Sequence, residues 1–289
     1  MPNRWRKNYL LILSLVLLIC TVFIIRQDWQ NSHRRLTFAV LDVGQGDALF
    51  IESPTGTQIL VDGGPAKKVL SQLPRLMPFY DRKIDMVIIT NPDADHMAGF
   101  LDVFKNYKVG AVIEPGTWND SSVFTDLKKE ITRKNIPNLL ARRGMKIDLG
   151  GGAYIEILFP DRNVGDWSTN DGSVMMRLVY GETSVMLAGD TTSITEKIVL
   201  AENAPEKLRS DILKVGHHGS RTSSSPEFVK AVAPEFAAIS LGKDNSYGHP
   251  HKETLDTLKT AGAQMFRTDL LGTIIMKSDG RAETFRFLR

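Results

Sequence analysis

The sequence predicts an α/β domain over residues 36–289, preceded by one N-terminal transmembrane helix within residues 1–35. Three observations carry that expectation. Short β-branched runs alternate with amphipathic ones, the pattern of sheets covered by helices on their outer faces. A single long apolar stretch stands at the N-terminus. The 289 residues, 42% hydrophobic and 24% charged, are ample for one large core.

The apolar stretch, YLLILSLVLLICTVFII from Tyr9 to Ile25, has 17 residues and no charge. That is near the lower limit for a spanning helix. Arg4, Arg6 and Lys7 precede it, so positive-inside bias places the N-terminus in the cytoplasm. The expectation is a single-pass anchor in the cell membrane with the C-terminal domain on the extracytoplasmic side. A cleaved signal peptide is the competing reading, but only RQDWQNS follows the run, with no small-x-small site. Ile19 stands where a lipoprotein signal needs a small residue, so Cys20 reads as one more apolar side chain. As the lone cysteine, Cys20 also excludes an intrachain disulfide framework and a cysteine-rich zinc site. Any metal must then be held by His, Asp and Glu. The formal net charge is +3, yet beyond residue 26 the chain carries 32 basic and 33 acidic side chains, a net −1. Binding nucleic acid mainly through bulk charge is excluded.

A short polar linker is expected from about Arg26 to Arg35, with no second spanning segment after it. LTFAVLDV, DALFIES and TQILVDG read as strands, followed by a helix around Lys67 to Met77. IDMVIIT (Ile84 to Thr90) is a buried strand, and a helix follows from about His96 to Tyr107. VGAVIEP is a strand; Ser121 to Asn135 is a helix with Phe124, Leu127 and Ile131 on one face. AYIEILFP, SVMMRLVYG and TSVMLAGD form an extended β region with a Gly-Glu turn between the last two. The rest alternates: helix near Thr191 to Asn203, strand DILKVG, helix Pro226 to Val232, strand FAAISLG, helix Lys252 to Ala261, and two closing strands.

Candidate chemistry collects where strands end, the place a rigid scaffold presents functional groups. Asp62 ends ILVDGG, and Asp93, Asp95 and His96 follow Thr90 in TNPDADHMAG. Asp190 ends SVMLAGD, His217 and His218 end ILKVGHHGS, and His249 and His251 lie in YGHPH. Five of the six histidines fall in these loops, with His33 left in the linker. Each has an ordinary reading alone. Asp62 suits a turn, Asp93, Asp95 and Asp190 suit helix caps, and a His-His pair suits an exposed loop. None of these explains carboxylates and imidazoles at the ends of four separate strands, whereas a metal site requires that convergence.

The ordered set LDVGQGDALFI (Leu41 to Ile51), ILVDGG, NPDADHMAGF, STNDGSVMMRLVYG (Ser168 to Gly181), AGD, LKVGHHGSRTSSS and YGHPH spans nearly all of residues 37–289. It resembles the metallo-β-lactamase superfamily, and within it the hydrolase domain of ComEC-type DNA-uptake competence proteins. The resemblance implies a four-layer αββα sandwich with one or two divalent ions, zinc or manganese, between the sheet edges. The superfamily loop reads H-x-H-x-D-H and the ComEC-like branch H-x-D-x-D-H, so Asp93, Asp95 and His96 match as ligands while Asn91 departs at the first position. A neutral amide there is a weaker ligand than imidazole. Asp190 matches the bridging carboxylate and His249 the late histidine of the second ion. His217 matches a ligand or a proton donor, with His218 beside it and either one facing the site. Asp95 and the two histidines are the implied catalytic groups, with Asp62 and Asp42 behind the ligands. Asn91, Asn170, Lys214, Ser220 and Arg221 are expected to meet the substrate. That substrate is a phosphodiester, first of all single-stranded DNA, cut by a membrane-anchored nuclease with no obligate protein partner. Binding without catalysis, and hydrolysis of another phosphoester or a lactone, stay open.

Overall fold

The computed structural model describes the backbone of residues 3–32 and 35–289, and the side chains of residues 8–24 and 35–289. His33 lies outside them. The chain divides into two compact units, Met1–Arg34 and Arg35–Arg289.

The first unit contains one helix, Asn3–Ser32, which occupies most of the expected linker. Among the described residues, no helix is long and apolar enough to cross a membrane. This corrects three expectations: the transmembrane helix, the single-pass placement in the cell membrane, and the extracytoplasmic side assigned to the C-terminal domain. At about 1.5 Å per residue, 17 apolar residues rise about 25 Å, short of a hydrocarbon core of roughly 30 Å.

In the second unit, the described residues form two large sheets. The first has eight strands in spatial order Glu283–Leu288, Thr273–Ser278, Leu36–Val40, Leu49–Glu52, Gln58–Val61, Met86–Ile88, Val112–Glu114 and Asn138–Leu140. The second has seven: Gln264–Arg267, Phe236–Ile239, Ile212–Lys214, Thr183–Leu187, Met175–Tyr180, Ala153–Phe159 and Lys146–Gly150. Each sheet is part antiparallel and part parallel. Gln58–Val61 and Thr183–Leu187 are buried at every position, as strands covered on both faces must be.

Three apolar layers separate the elements. Phe38, Val61, Ile155, Met176 and Leu187 pack between the sheets. Phe50, Leu60, Phe100, Phe104 and Leu127 seat helices on the outer face of the first sheet. Leu213, Val215, Phe228, Val229 and Leu258 do the same for the second. The result is the expected αββα sandwich. Phe228 is fully buried, so truncating it to alanine costs about 3–5 kcal/mol.

The expected helix from His96 to Tyr107 divides into Ala94–Met97 and Phe100–Asn106. Gly99 N–H leaves the helical ladder and donates to Gly64 O at 2.9 Å, while Gly63 N–H donates to His96 O at 2.5 Å. A Cβ on Gly99 would stand 1.9 Å from Gly63 O, so only glycine lets the DGG and HMAG turns lie together. This contact carries Asp62 to the foot of His96.

The loops that carry the clustered acids and histidines each leave the carboxyl end of a parallel strand. Asp62 follows Gln58–Val61, Asp93 to His96 follow Met86–Ile88, Asp190 follows Thr183–Leu187, His217 and His218 follow Ile212–Lys214, and His249 follows Phe236–Ile239. Open α/β sheets present their ligand-binding loops at those ends.

Candidate metal centre

His96 is fully buried, and its Nδ1 meets Asp62 Oδ2 at 2.8 Å. Asp62, at φ 58°, also accepts Thr90 N–H at 2.8 Å and Thr90 Oγ1–H at 2.5 Å. A carboxylate behind Nδ1 fixes the tautomer and turns the Nε2 lone pair outward. His96 Nε2 lies 3.0 Å from Asp190 Oδ2.

The GHHG turn settles which of the paired histidines faces inward. His217 and His218 both take left-handed backbone, φ 46° and 54°, an uncommon conformation for non-glycine residues that tight sites impose. His218 is buried, with Nδ1 donating to Ser240 O at 2.9 Å. Its Nε2 lies 3.4 Å from Asp95 Oδ2 and 3.5 Å from Asp190 Oδ2. His217 is more open; its Nε2 is 3.9 Å from Asp190 Oδ2 and its Nδ1 is 3.2 Å from Thr222 Oγ1.

Asp95, His96, Asp190 and His218 therefore converge, two carboxylates and two imidazoles. Donor atoms of Asp95, His96 and His218 lie within 4.8 Å of one another, as do those of Asp47, Asp190 and His218. Among the described residues, seven buried side-chain polar atoms lack a hydrogen-bond partner, and three belong to this cluster: His96 Nε2, Asp190 Oδ1 and His218 Nε2. Leaving such atoms bare is costly. A divalent cation accounts for them, and the mixed N/O donor set suits zinc or manganese.

The electrostatics agree. Burial pushes Asp190 up, but His96 and His218 outweigh it and hold the carboxyl well below its ordinary range. Burial lowers His218, yet Asp190 and Asp47 bring it up to about 10. His96 rises well above its ordinary value for the same reason, with Asp190 and Asp62 overriding burial.

Other expected site residues fall elsewhere. Asp93 caps no helix with its side chain; its oxygens accept Asn119 Nδ2–H at 2.9 Å and Thr169 Oγ1–H at 2.8 Å. Asn91 is buried and spends its amide on Asp93 N–H and Asn170. His249 lies beside the cluster, its ring 5.7 Å from His217 and 6.4 Å from His218. Three expectations are corrected. Lys214 is fully buried against Asp47 and cannot reach a substrate. Ser220 is buried and holds Thr222 through its hydroxyl. Asp42 accepts from its neighbour Gly44 N–H rather than standing behind a ligand. Arg221 remains exposed at the rim. The carboxylate that lies on the Nδ1 side of His218 is Asp47, in the GQGD segment; its only sequence signal is an acid between glycine and an apolar run.

The family model of the metallo-β-lactamase superfamily matches residues 41–243. The chain belongs to this superfamily of metal-dependent hydrolases. It is 28% identical over 263 residues to ComE operon protein 3 of Bacillus subtilis (strain 168), covering 85% of this chain and 33% of that protein. It is also 28% identical over 237 residues to competence protein ComA of Neisseria gonorrhoeae, covering 81% and 31%. The chain thus spans about a third of the length of these curated relatives. The superfamily fold is seen again in YhfI of Bacillus subtilis, with TM-score 0.56, 14% identity, and coverage of 84% of this chain and all of that one. Asp95, His96 and Asp190, all singled out by the sequence motifs, lie together with His218. His249 lies beside them, its Nδ1 buried without a hydrogen-bond partner.

Proposed function

We propose that the protein is a metal-dependent phosphodiesterase that cuts DNA, single strands before duplex. The observation that carries this reading is the convergence of Asp95, His96, Asp190 and His218 on one point with His96 Nε2, Asp190 Oδ1 and His218 Nε2 unspent. These four residues would hold one divalent ion, manganese or zinc. When bound, it would lower the pKa of water and offset charge on a phosphoryl oxygen.

The chain's own groups supply the rest. The His217 tautomer that donates Nδ1–H to Thr222 Oγ1 leaves a lone pair on Nε2. Burial first of all lowers that imidazole, so at neutral pH it accepts a proton. Water attacks phosphorus, His217 Nε2 takes its proton as the P–O bond to the leaving sugar oxygen breaks, and solvent on the opposite side protonates that oxygen. The products are a phosphate monoester and an alcohol. Tyr247 is exposed and stacks on His249 at 5.7 Å between centroids and 23° between planes. With exposed Trp118 it offers unpaired bases a stacking surface, and Arg221 offers the backbone a charge. The competence proteins among the relatives support DNA as the polymer.

The test is hydrolysis by the purified full chain, with manganese or zinc, of single-stranded DNA, duplex DNA, a small phosphodiester and a lactone. Single-stranded DNA should be cut fastest, and Asp190→Ala should abolish both cutting and ion binding. Turnover of the lactone alone, or undiminished activity in Asp190→Ala, would overturn the reading.

A further inference from the structure

The segment LDVGQGDALFI and the buried Lys214 take no part in the chemistry above, yet they meet directly behind the site. Gly46 has φ +124°, and a Cβ there would stand 2.1 Å from Asp95 O. The bare backbone lets Asp47 N–H donate to Asp95 O at 3.2 Å. Gly46 O accepts Ser240 Oγ–H at 2.8 Å, and Gln45 Oε1 accepts Gly242 N–H at 3.2 Å. The segment thereby ties the loop of Asp95 to the loop that leaves Phe236–Ile239.

Asp47 is 1% exposed and Lys214 not at all. Lys214 Nζ donates to Asp47 Oδ2 at 2.5 Å and to Val215 O at 2.9 Å. The other carboxylate oxygen, Asp47 Oδ1, lies 3.4 Å from His218 Nδ1. His218 Nδ1–H itself goes to Ser240 O at 2.9 Å, so Asp47 acts on that imidazole as a nearby charge, whereas Asp62 accepts directly from His96 Nδ1. Asp62, held by Thr90, backs His96; Asp47, held by Lys214, backs His218.

We propose that Asp47 and Lys214 are positioning residues for His218. Their ion pair stands behind the imidazole, beside the Ser240 carbonyl that holds Nδ1–H, and together with it keeps Nε2 directed at Asp95 and Asp190. This rests on the reading of His218 as a metal ligand. Stability alone does not account for the pair, since a buried ion pair is commonly matched or bettered by apolar side chains of the same shape. A carboxylate charge behind a ligand imidazole does something apolar groups cannot: added to Ser240 O, which takes the Nδ1–H, it raises the basicity of Nε2.

The experiment titrates manganese or zinc alone into the full chain and its Asp47→Asn, Lys214→Met and Asp47→Asn/Lys214→Met variants, with cobalt absorption as a signature of imidazole coordination. Each single variant should lose about 10–100-fold in ion affinity. The double variant should be no weaker than the weaker single one, because both residues act through one contact. It leaves no lone charge buried, so it stands as the test if a single variant does not fold. Wild-type affinity and an unchanged cobalt spectrum in the folded double variant would overturn the inference, even with a lowered melting temperature. A wild-type chain that binds no ion would overturn the metal reading itself.

Discussion

Asn91 Nδ2 donates to Asn170 Oδ1 at 2.8 Å, joining the loop after Met86–Ile88 in one sheet to the loop before Met175–Tyr180 in the other. Asn91 Oδ1 accepts Asp93 N–H at 2.9 Å. Both ends of the amide are spent, at the position where the superfamily pattern places its first imidazole. The Asp93 side of the site is a closed network of neutral donors, while the His218 side holds the bare atoms.

Asn91→His should therefore lower stability rather than add an ion. The imidazole cannot serve Asp93 N–H and Asn170 together, and an unsatisfied buried group costs about 1–3 kcal/mol. Metal stoichiometry near one with a reduced melting temperature is the expected result. Stoichiometry rising to two would show that the amide pair merely displaces a second ion.

His218 makes the metal-free protein pH-sensitive. Its folded value, about 10, lies above its ordinary 6.5, so its contribution to stability is whole below about pH 6.5 and disappears as pH rises through about 10. With a chelator present, the melting temperature should fall from pH 7 to pH 10 in the wild type and fall less in His218→Gln. Ion binding at pH 7 should release protons, with affinity rising as pH rises. Calorimetry in buffers of different ionisation enthalpy reads that release, and its absence would contradict the assignment of His218 as a ligand.

Glu196 is buried in the helix Ser193–Glu202 and accepts Ser224 N–H at 2.5 Å and Ser225 N–H at 2.9 Å. It anchors the loop that brings Thr222 to His217. Glu196→Gln should cost about 2 kcal/mol of stability, the scale of hydrogen bonds to a charged group, and should lower kcat more than it raises KM. Denaturant melts and steady-state kinetics check the two effects separately.

Tyr247 should govern the choice of substrate. Tyr247→Ala should raise KM for single-stranded DNA about tenfold, within the range of stacking on one base, and leave a small phosphodiester unaffected. Tyr247→Phe keeps the ring and should resemble the wild type. Equal losses on both substrates would remove stacking as the cause.

The amino-acid sequence by itself determines the layered fold and the loops that carry the site. Helical and strand periodicity are local, so Pro226–Val232 and Ser122–Arg133 follow from a few neighbouring residues, and Asp62, His96 and Asp190 announce themselves by ending strands. Membrane spanning is a matter of length, and 17 residues at the lower limit made a local pattern a poor guide. Only the tertiary structure decides what each polar side chain faces. Adjacent histidines have the same chemistry on paper, and left-handed backbone turns His218 inward while His217 stays at the rim. Lys214 reads as a surface cation until Asp47, distant in sequence, closes over it at 2.5 Å. Burial and pairing across two sheets are long-range properties, set by which loops the packed strands bring together.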